Sequence, residues 1–177
     1  MSGSGVASGL LLGFVIVQRL AELALARHNT VRLRARGARE VGSTHYPAIV
    51  ALHVAWLGGL VLFGYGRTVQ PFWLGVFVVL QALRAWILVS LGPRWTTRIL
   101  VLDEPLVARG PYRFMRHPNY ALVAAELAVL PLALGLPWFA LVFTLLNLPL
   151  MAIRIRAEDR ALARAGTTGF SGSATRH

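Results

Sequence analysis

Phe72 to Leu91 reads FWLGVFVVLQALRAWILVSL, twenty residues that are apolar except for Gln81, Arg84 and Ser90. A run of roughly 17 to 25 such residues, rising ~1.5 Å each, crosses the ~30 Å hydrocarbon layer of a bilayer as a helix. An arginine inside it costs several kcal/mol unless it faces a protein interior or a water-filled site and meets an anion. Arg84 therefore turns this helix inward, against the rest of the chain. Two uses of it are open: an interhelical ion pair with Glu126, or a contact to a ligand. Pro71 can open the helix and Gly92-Pro93 ends it.

Similar runs lie on both sides: Val6 to Ala26, about Tyr46 to Tyr65, Tyr120 to Gly135 and Trp138 to Ile153. With 56% hydrophobic residues in 177, the chain does not match an ordinary soluble domain. The expected fold is all-α, a polytopic membrane protein of five transmembrane helices. The fourth run is broken by Pro131 and separated from the fifth by only Leu136 and Pro137, so these two form a helical hairpin. The first lacks the basic start and small-residue cleavage site of a secretory signal and reads as a retained span ending in Gln18, Arg19 and Glu22. Residues 1–165 read as one membrane domain and 166–177, small, polar and aperiodic, as a disordered tail.

The net charge is +11, carried entirely by arginines on the basic side. They cluster after the first run (Arg27 to Arg39), after the third (Arg94 to Arg116) and after the last (Arg154 to Arg164); the other two gaps hold only Arg67. That alternation places the N-terminus outside and the C-terminus in the cytoplasm of a bacterial inner membrane, and accounts for the charge by lipid headgroups without nucleic acid. Arg27 to Tyr46 is expected to be a surface loop. Cysteine is absent, so disulfides and thiolate chemistry are excluded.

Polar chemistry is densest in LVARGPYRFMRHPNYALVAAE, Leu106 to Glu126. Gly110-Pro111 and Pro118 bracket Tyr112 to His117 with turns. Just before it, RILVLDEPLVARG reads as short strands or an irregular hairpin about Asp103-Glu104-Pro105. Because the last two helices form a hairpin, His117 and Glu158 fall at one membrane boundary, giving a cytoplasmic pocket continuous with a cavity around Arg84. Such a pocket suits a polar, zwitterionic cofactor on the water side and an apolar acceptor from the lipid side. His53 and Trp56, three apart on the second span, belong to the acceptor wall. No G-x-S-x-G, H-E-x-x-H or glycine-rich nucleotide loop occurs, and the histidines lack metal-ligand spacing, so no metal is expected.

GPYRFMRHPNY, Gly110 to Tyr120, followed by the hairpin and RIRAEDRAL, Arg154 to Leu162, resembles the isoprenylcysteine carboxyl methyltransferase family of integral membrane enzymes. Its members use S-adenosylmethionine. The shared pattern falls on Gly110, Tyr112, Arg113, Arg116, His117, Pro118 and Tyr120 and on the acidic pair Glu158-Asp159; the family's intramembrane arginine looks like Arg84. Where eukaryotic members carry an acidic residue before that arginine, this chain has Gln81. GAREVGSTHYPAIVALHVAWL and LGPRWTTRILVL resemble a bacterial branch that methylates phenolic lipids such as alkylresorcinols and alkylpyrones.

The resemblance implies that His117, Tyr120 and Glu158 hold the methionine end of S-adenosylmethionine, that Arg116, Tyr112 and the Gly110 turn shape the site, and that Leu106 and Val107 enclose the adenosine. Arg84 would orient the acceptor oxygen, in O-methylation of a membrane-embedded phenolic or pyrone lipid. Carboxyl methylation of a prenylcysteine-like substrate, an NADPH-dependent membrane reductase sharing RHPNY, and a non-catalytic lipid-binding protein are the competing readings.

Overall fold

A computed structural model describes residues 3–171 apart from 103, 105 and 106, with side chains described for 4–163 outside that gap. Five α-helices carry the chain: α1 (Gly3–Ala35), α2 (Tyr46–Gly64), α3 (Pro71–Leu91), α4 (Pro118–Ala133) and α5 (Pro137–Ser171). A proline occupies the first turn of each of α2 to α5, where its missing N–H has no intrahelical partner to lose. Four of the helices, α1, α2, α3 and α5, are long and apolar enough to cross a membrane; α4, with 16 residues, is shorter. The lipid-compatible exteriors are plain in Leu62, Val89 and Trp138, each more than 70% exposed on an apolar helix.

α4 is the inner helix. Leu122, Leu127, Leu130 and Glu126 are all buried, packed against Trp56 and Leu60 of α2 and Phe77 and Ile87 of α3. Its far end closes on the α2–α3 link, where the Gln70 N–H donates to the Ala133 carbonyl at 2.8 Å. The expected hairpin of α4 and α5 is present: after Pro131 the chain turns through Gly135, and the Leu136 N–H donates back to the Pro131 carbonyl. Of Gly58 and Gly59, only Gly59 serves a close approach, since a Cβ there would lie 2.6 Å from the ring of Phe139 on α5.

Two sequence expectations are corrected. The stretch after Arg27 is not a loop to Tyr46, because α1 continues to Ala35. Ala26, Asn29, Thr30 and Leu33 lie on one buried stripe beneath the arginines, and the Asn29 amide donates to the carbonyls of Gly92 and Trp95 at 3.3 and 2.9 Å. The second concerns Ile99 to Val107. Its strand β2 (Ile99–Val101) does not pair locally but lies antiparallel to β1 (Arg39–Val41), with Glu40 opposite Leu100. This two-stranded sheet ties the α1–α2 connection to the α3–α4 connection. Glu40 locks it, accepting from Arg98 at 2.5 Å and pairing with Arg34. Burial alone would raise the Glu40 carboxyl, but the hydrogen bonds and charges of Arg98 and Arg34 outweigh it and hold the group below the usual carboxylate range. At the C-terminus α5 runs on to Ser171, past the boundary at 166 expected for a tail; 172–177 lie outside the described residues.

Candidate functional site

The turn Gly110–Arg113 starts from a left-handed glycine, φ 60°, pressed against Ser90 of α3, with no room for a side chain. Arg109 clamps the same point, its Nε donating to the Ser90 carbonyl at 2.9 Å. Tyr112 and His117 are thereby carried onto the wall of a polar cavity of about 360 Å³, a volume typical of small-molecule sites. Burial, and then the charge of Glu158, push the Tyr112 phenol up, so it stays an O–H donor.

α5 supplies the opposite wall. The Tyr120 hydroxyl donates to Glu158 Oε2 at 2.5 Å and accepts from Arg154 Nε at 3.0 Å, while Arg154 Nη2 donates to the Thr97 carbonyl at 2.5 Å. His117 Nε2 lies 3.1 Å from Asp159 Oδ1 and its Nδ1 3.8 Å from Glu158. Arg116, largely exposed, reaches Asp159 at 3.2 Å. Two carboxylates (Glu104, Glu158), four arginines (Arg94, Arg98, Arg116, Arg154), a histidine and aromatic rings, with aliphatic side chains such as Ile99 and Leu162 between them, thus surround one space. This donor set matches a zwitterion carrying both an ammonium and a carboxylate. Trp95 adds a buried indole N–H with no hydrogen-bond partner among the described residues.

A second cavity, about 290 Å³, lies between the five helices and is lined mainly by apolar side chains such as Ile49, Leu57 and Leu150. It shares Trp95, Thr96, Asn119, Tyr120 and Arg154 with the first, so one wall separates a polar chamber from a helix-walled one. Arg19, Glu22 and Arg84 also line it. They belong to a network in which Arg84 grips Glu126 through Nε (2.8 Å) and Nη2 and reaches Glu22 through Nη1 at 3.0 Å. Arg19 bonds both glutamates, and Gln18 and Gln81 fill further positions. Two arginines face two glutamates with no net charge, as burial among helices demands.

The sequence-derived site residues divide between the two cavities, with Tyr120 on the wall common to both. Val107, Tyr112, Arg116, His117, Tyr120 and Glu158 line the polar cavity; Arg84, His53 and Trp56 line the helix-walled one. Gly110 is on neither wall and acts from behind, through its turn; Leu106 lies outside the described residues. Of the two open uses of Arg84, the ion pair with Glu126 is present, and the same side chain borders a cavity. Glu126 itself borders neither and holds Arg84. Sequence reading took Arg154 only as one of several topology arginines, and Trp95, an aromatic just past the end of α3, has the look of an ordinary interfacial residue. The spacing of Arg154 and Glu158, four apart on one helix face, was the available signal. Asn147, a lone amide in an apolar run, was another.

The structure thus sets a chamber lined by charged and aromatic groups beside a mainly apolar one within a bundle of apolar helices. Residues 73–164 match the model of the Isoprenylcysteine carboxyl methyltransferase (ICMT) family, and the chain belongs to that family of membrane methyltransferases. It is similar to YpbQ, an uncharacterized protein of Bacillus subtilis (strain 168), at 42% identity over 86% of this chain and 95% of that one. An uncharacterized protein of Haemophilus influenzae (strain ATCC 51907 / DSM 11121 / KW20 / Rd) is 26% identical over 84% and 91%. No solved structure matches.

Proposed function

We propose that this protein transfers a methyl group from S-adenosylmethionine to an oxygen of a membrane-embedded lipid, most simply a phenolic or pyrone lipid. The observation that carries this reading is the common wall of Trp95, Thr96, Asn119, Tyr120 and Arg154 between the two cavities. When bound, S-adenosylmethionine supplies an electrophilic methyl on a sulfonium. In this reading Glu158, fixed by Tyr120, answers its ammonium; His117 and Arg116 answer its carboxylate; Val107 and Tyr112 border the adenosine, with Leu106 beside them by resemblance. Arg154, reaching both chambers, holds the acceptor oxygen at the wall, and Arg84 stabilises its negative charge from the far side of the helix-walled cavity. Alignment of oxygen and methyl then does most of the catalytic work.

The topology we infer counts α4 as a fifth crossing, since its two ends meet opposite ends of the bundle. The arginine clusters at the Glu158 end support a cytoplasmic polar cavity and an outside N-terminus. The test is incubation of purified protein with labelled S-adenosylmethionine and a bacterial lipid extract. A labelled lipid of phenol or enol ether type is the expected product; NADPH binding with no S-adenosylmethionine binding would overturn the proposal.

A further inference from the structure

In the helix-walled cavity, two polar side chains stand apart from the ion network. His53 Nδ1 lies 2.8 Å from the carbonyl of Ile49 on its own helix. A carbonyl only accepts, so Nδ1 carries the hydrogen, and in the neutral ring Nε2 presents a lone pair. Nε2 has no hydrogen-bond partner among the described residues. Asn147 on α5 is only 4% exposed, lines the same cavity, and likewise makes no side-chain hydrogen bond among the described residues. An amide that opens on a cavity among apolar helices is free to bond a ligand that enters there.

The helix geometry puts the two at one level. Tyr46 on α2 and Arg154 on α5 both bond Thr97 at the polar end, and seven residues inward on each helix, about 10 Å at ~1.5 Å per residue, come His53 and Asn147. Charges facing the ring are Arg19 and Glu22 from α1, Arg84 from α3 and Arg154 from α5. Tyr46 of α2 and Tyr120 of α4 complete the titratable lining.

Resting on the methyltransferase reading, we infer that His53 is the general base of this site, and that the acceptor is a hydroxyl needing deprotonation rather than a carboxylate already ionised. The acceptor's O–H bond breaks, its proton bonds to Nε2, and the electron pair stays on oxygen as an oxyanion that the surrounding arginines stabilise. The imidazolium keeps its Nδ1–H bond to Ile49 and later releases the Nε2 proton to water. Asn147 holds the acceptor at this depth, donating to or accepting from a ring oxygen. A carboxylate lipid would use the same cavity without needing His53.

The test has one arm without a methyl donor. A 4-nitrophenol bearing an alkyl chain, bound to protein in detergent micelles, reports ionisation by the phenolate absorbance. Wild type should raise the phenolate-to-phenol ratio of bound probe about tenfold at neutral pH, His53→Gln should return it to that of empty micelles, and Asn147→Leu should weaken probe binding without changing ionisation of what is bound. In the second arm, with labelled S-adenosylmethionine, His53→Gln should lose about 100-fold or more on an alkylphenol, in the range of general-base contributions, and far less on an alkyl carboxylate. Unchanged probe ionisation in His53→Gln, or equal loss on both acceptors, would overturn the assignment. Ionised probe with no methylation of any lipid by wild type would instead overturn the methyltransferase reading and leave His53 as the base.

Discussion

Replacing Glu126 by leucine removes the carboxylate on which Arg84, Arg19 and Gln81 converge. Its side chain is 0% exposed and that of Arg84 only 4%, so water cannot make up the loss. Four charges sum to zero in the wild type; without Glu126, Arg19 and Arg84 face Glu22 alone, and one positive charge is left over inside the bundle. Breaking a buried pair from one side costs about 3–5 kcal/mol. Arg84→Met leaves the converse, Arg19 against two glutamates, and should cost a similar amount. The double variant, Glu126→Leu with Arg84→Met, leaves Arg19 facing Glu22 and is again neutral, so most of the loss should return. At 1.4 kcal/mol per factor of ten, each single change lowers the folded-to-unfolded ratio by roughly 100- to 4,000-fold. Equilibrium unfolding in detergent micelles measures all four proteins of the cycle. Additive losses in the double variant would refute the idea that these charges stabilise the bundle by mutual compensation.

Tyr120→Phe deletes the hydroxyl joining Arg154 to Glu158; S-adenosylmethionine affinity, read by isothermal titration, should fall about tenfold, one to two hydrogen bonds' worth, with the fold intact. Gly110→Ala places a methyl against Ser90 at a left-handed φ and should reduce thermal stability by about 1–3 kcal/mol and weaken cofactor binding together. Glu40 has a pH signature: its folded carboxyl titrates below its unfolded value, so the stability it adds is complete above the ordinary carboxylate range and is lost as pH falls through the lower, folded value. Protease cleavage near the β1–β2 sheet should therefore accelerate in acid for the wild type, and Glu40→Gln should show the fast cleavage at neutral pH as well.

The helices were legible because apolar runs, prolines and glycines are local signals. Pro71 and Pro118 stand at the starts of α3 and α4 as read from sequence, and the Arg84–Glu126 pair was one of the two uses that intramembrane energetics left open. The end of α1 was not legible, since Arg27 to Arg36 looks like a solvated run and its buried stripe depends on a dock formed by Gly92 and Trp95, more than 60 residues away. The pairing of Arg39–Val41 with Ile99–Val101 is equally remote and only three residues long, too short for periodicity to register. In the site, Tyr112, Arg116, His117 and Tyr120 could be grouped from the sequence because they cluster in it, and the cavity they line also takes in Val107 and Glu158, which the family resemblance had named. Arg154, Trp95 and Asn147 escaped because each has an ordinary membrane explanation, and only the juxtaposition of α5 with the Trp95–Thr97 segment reveals the other one.

On the proposed function, the wall shared by the two chambers imposes no order on loading. Neither compartment is the vestibule of the other, so a water-borne substrate and a lipid-borne one can load independently, and the spent forms can leave to separate phases. Steady-state plots against the two substrates should then intersect, as for a ternary complex formed in either order, with no parallel lines of the kind a methylated-enzyme intermediate would produce. Inhibition by the demethylated donor should be relieved by raising the donor and indifferent to how much lipid is present.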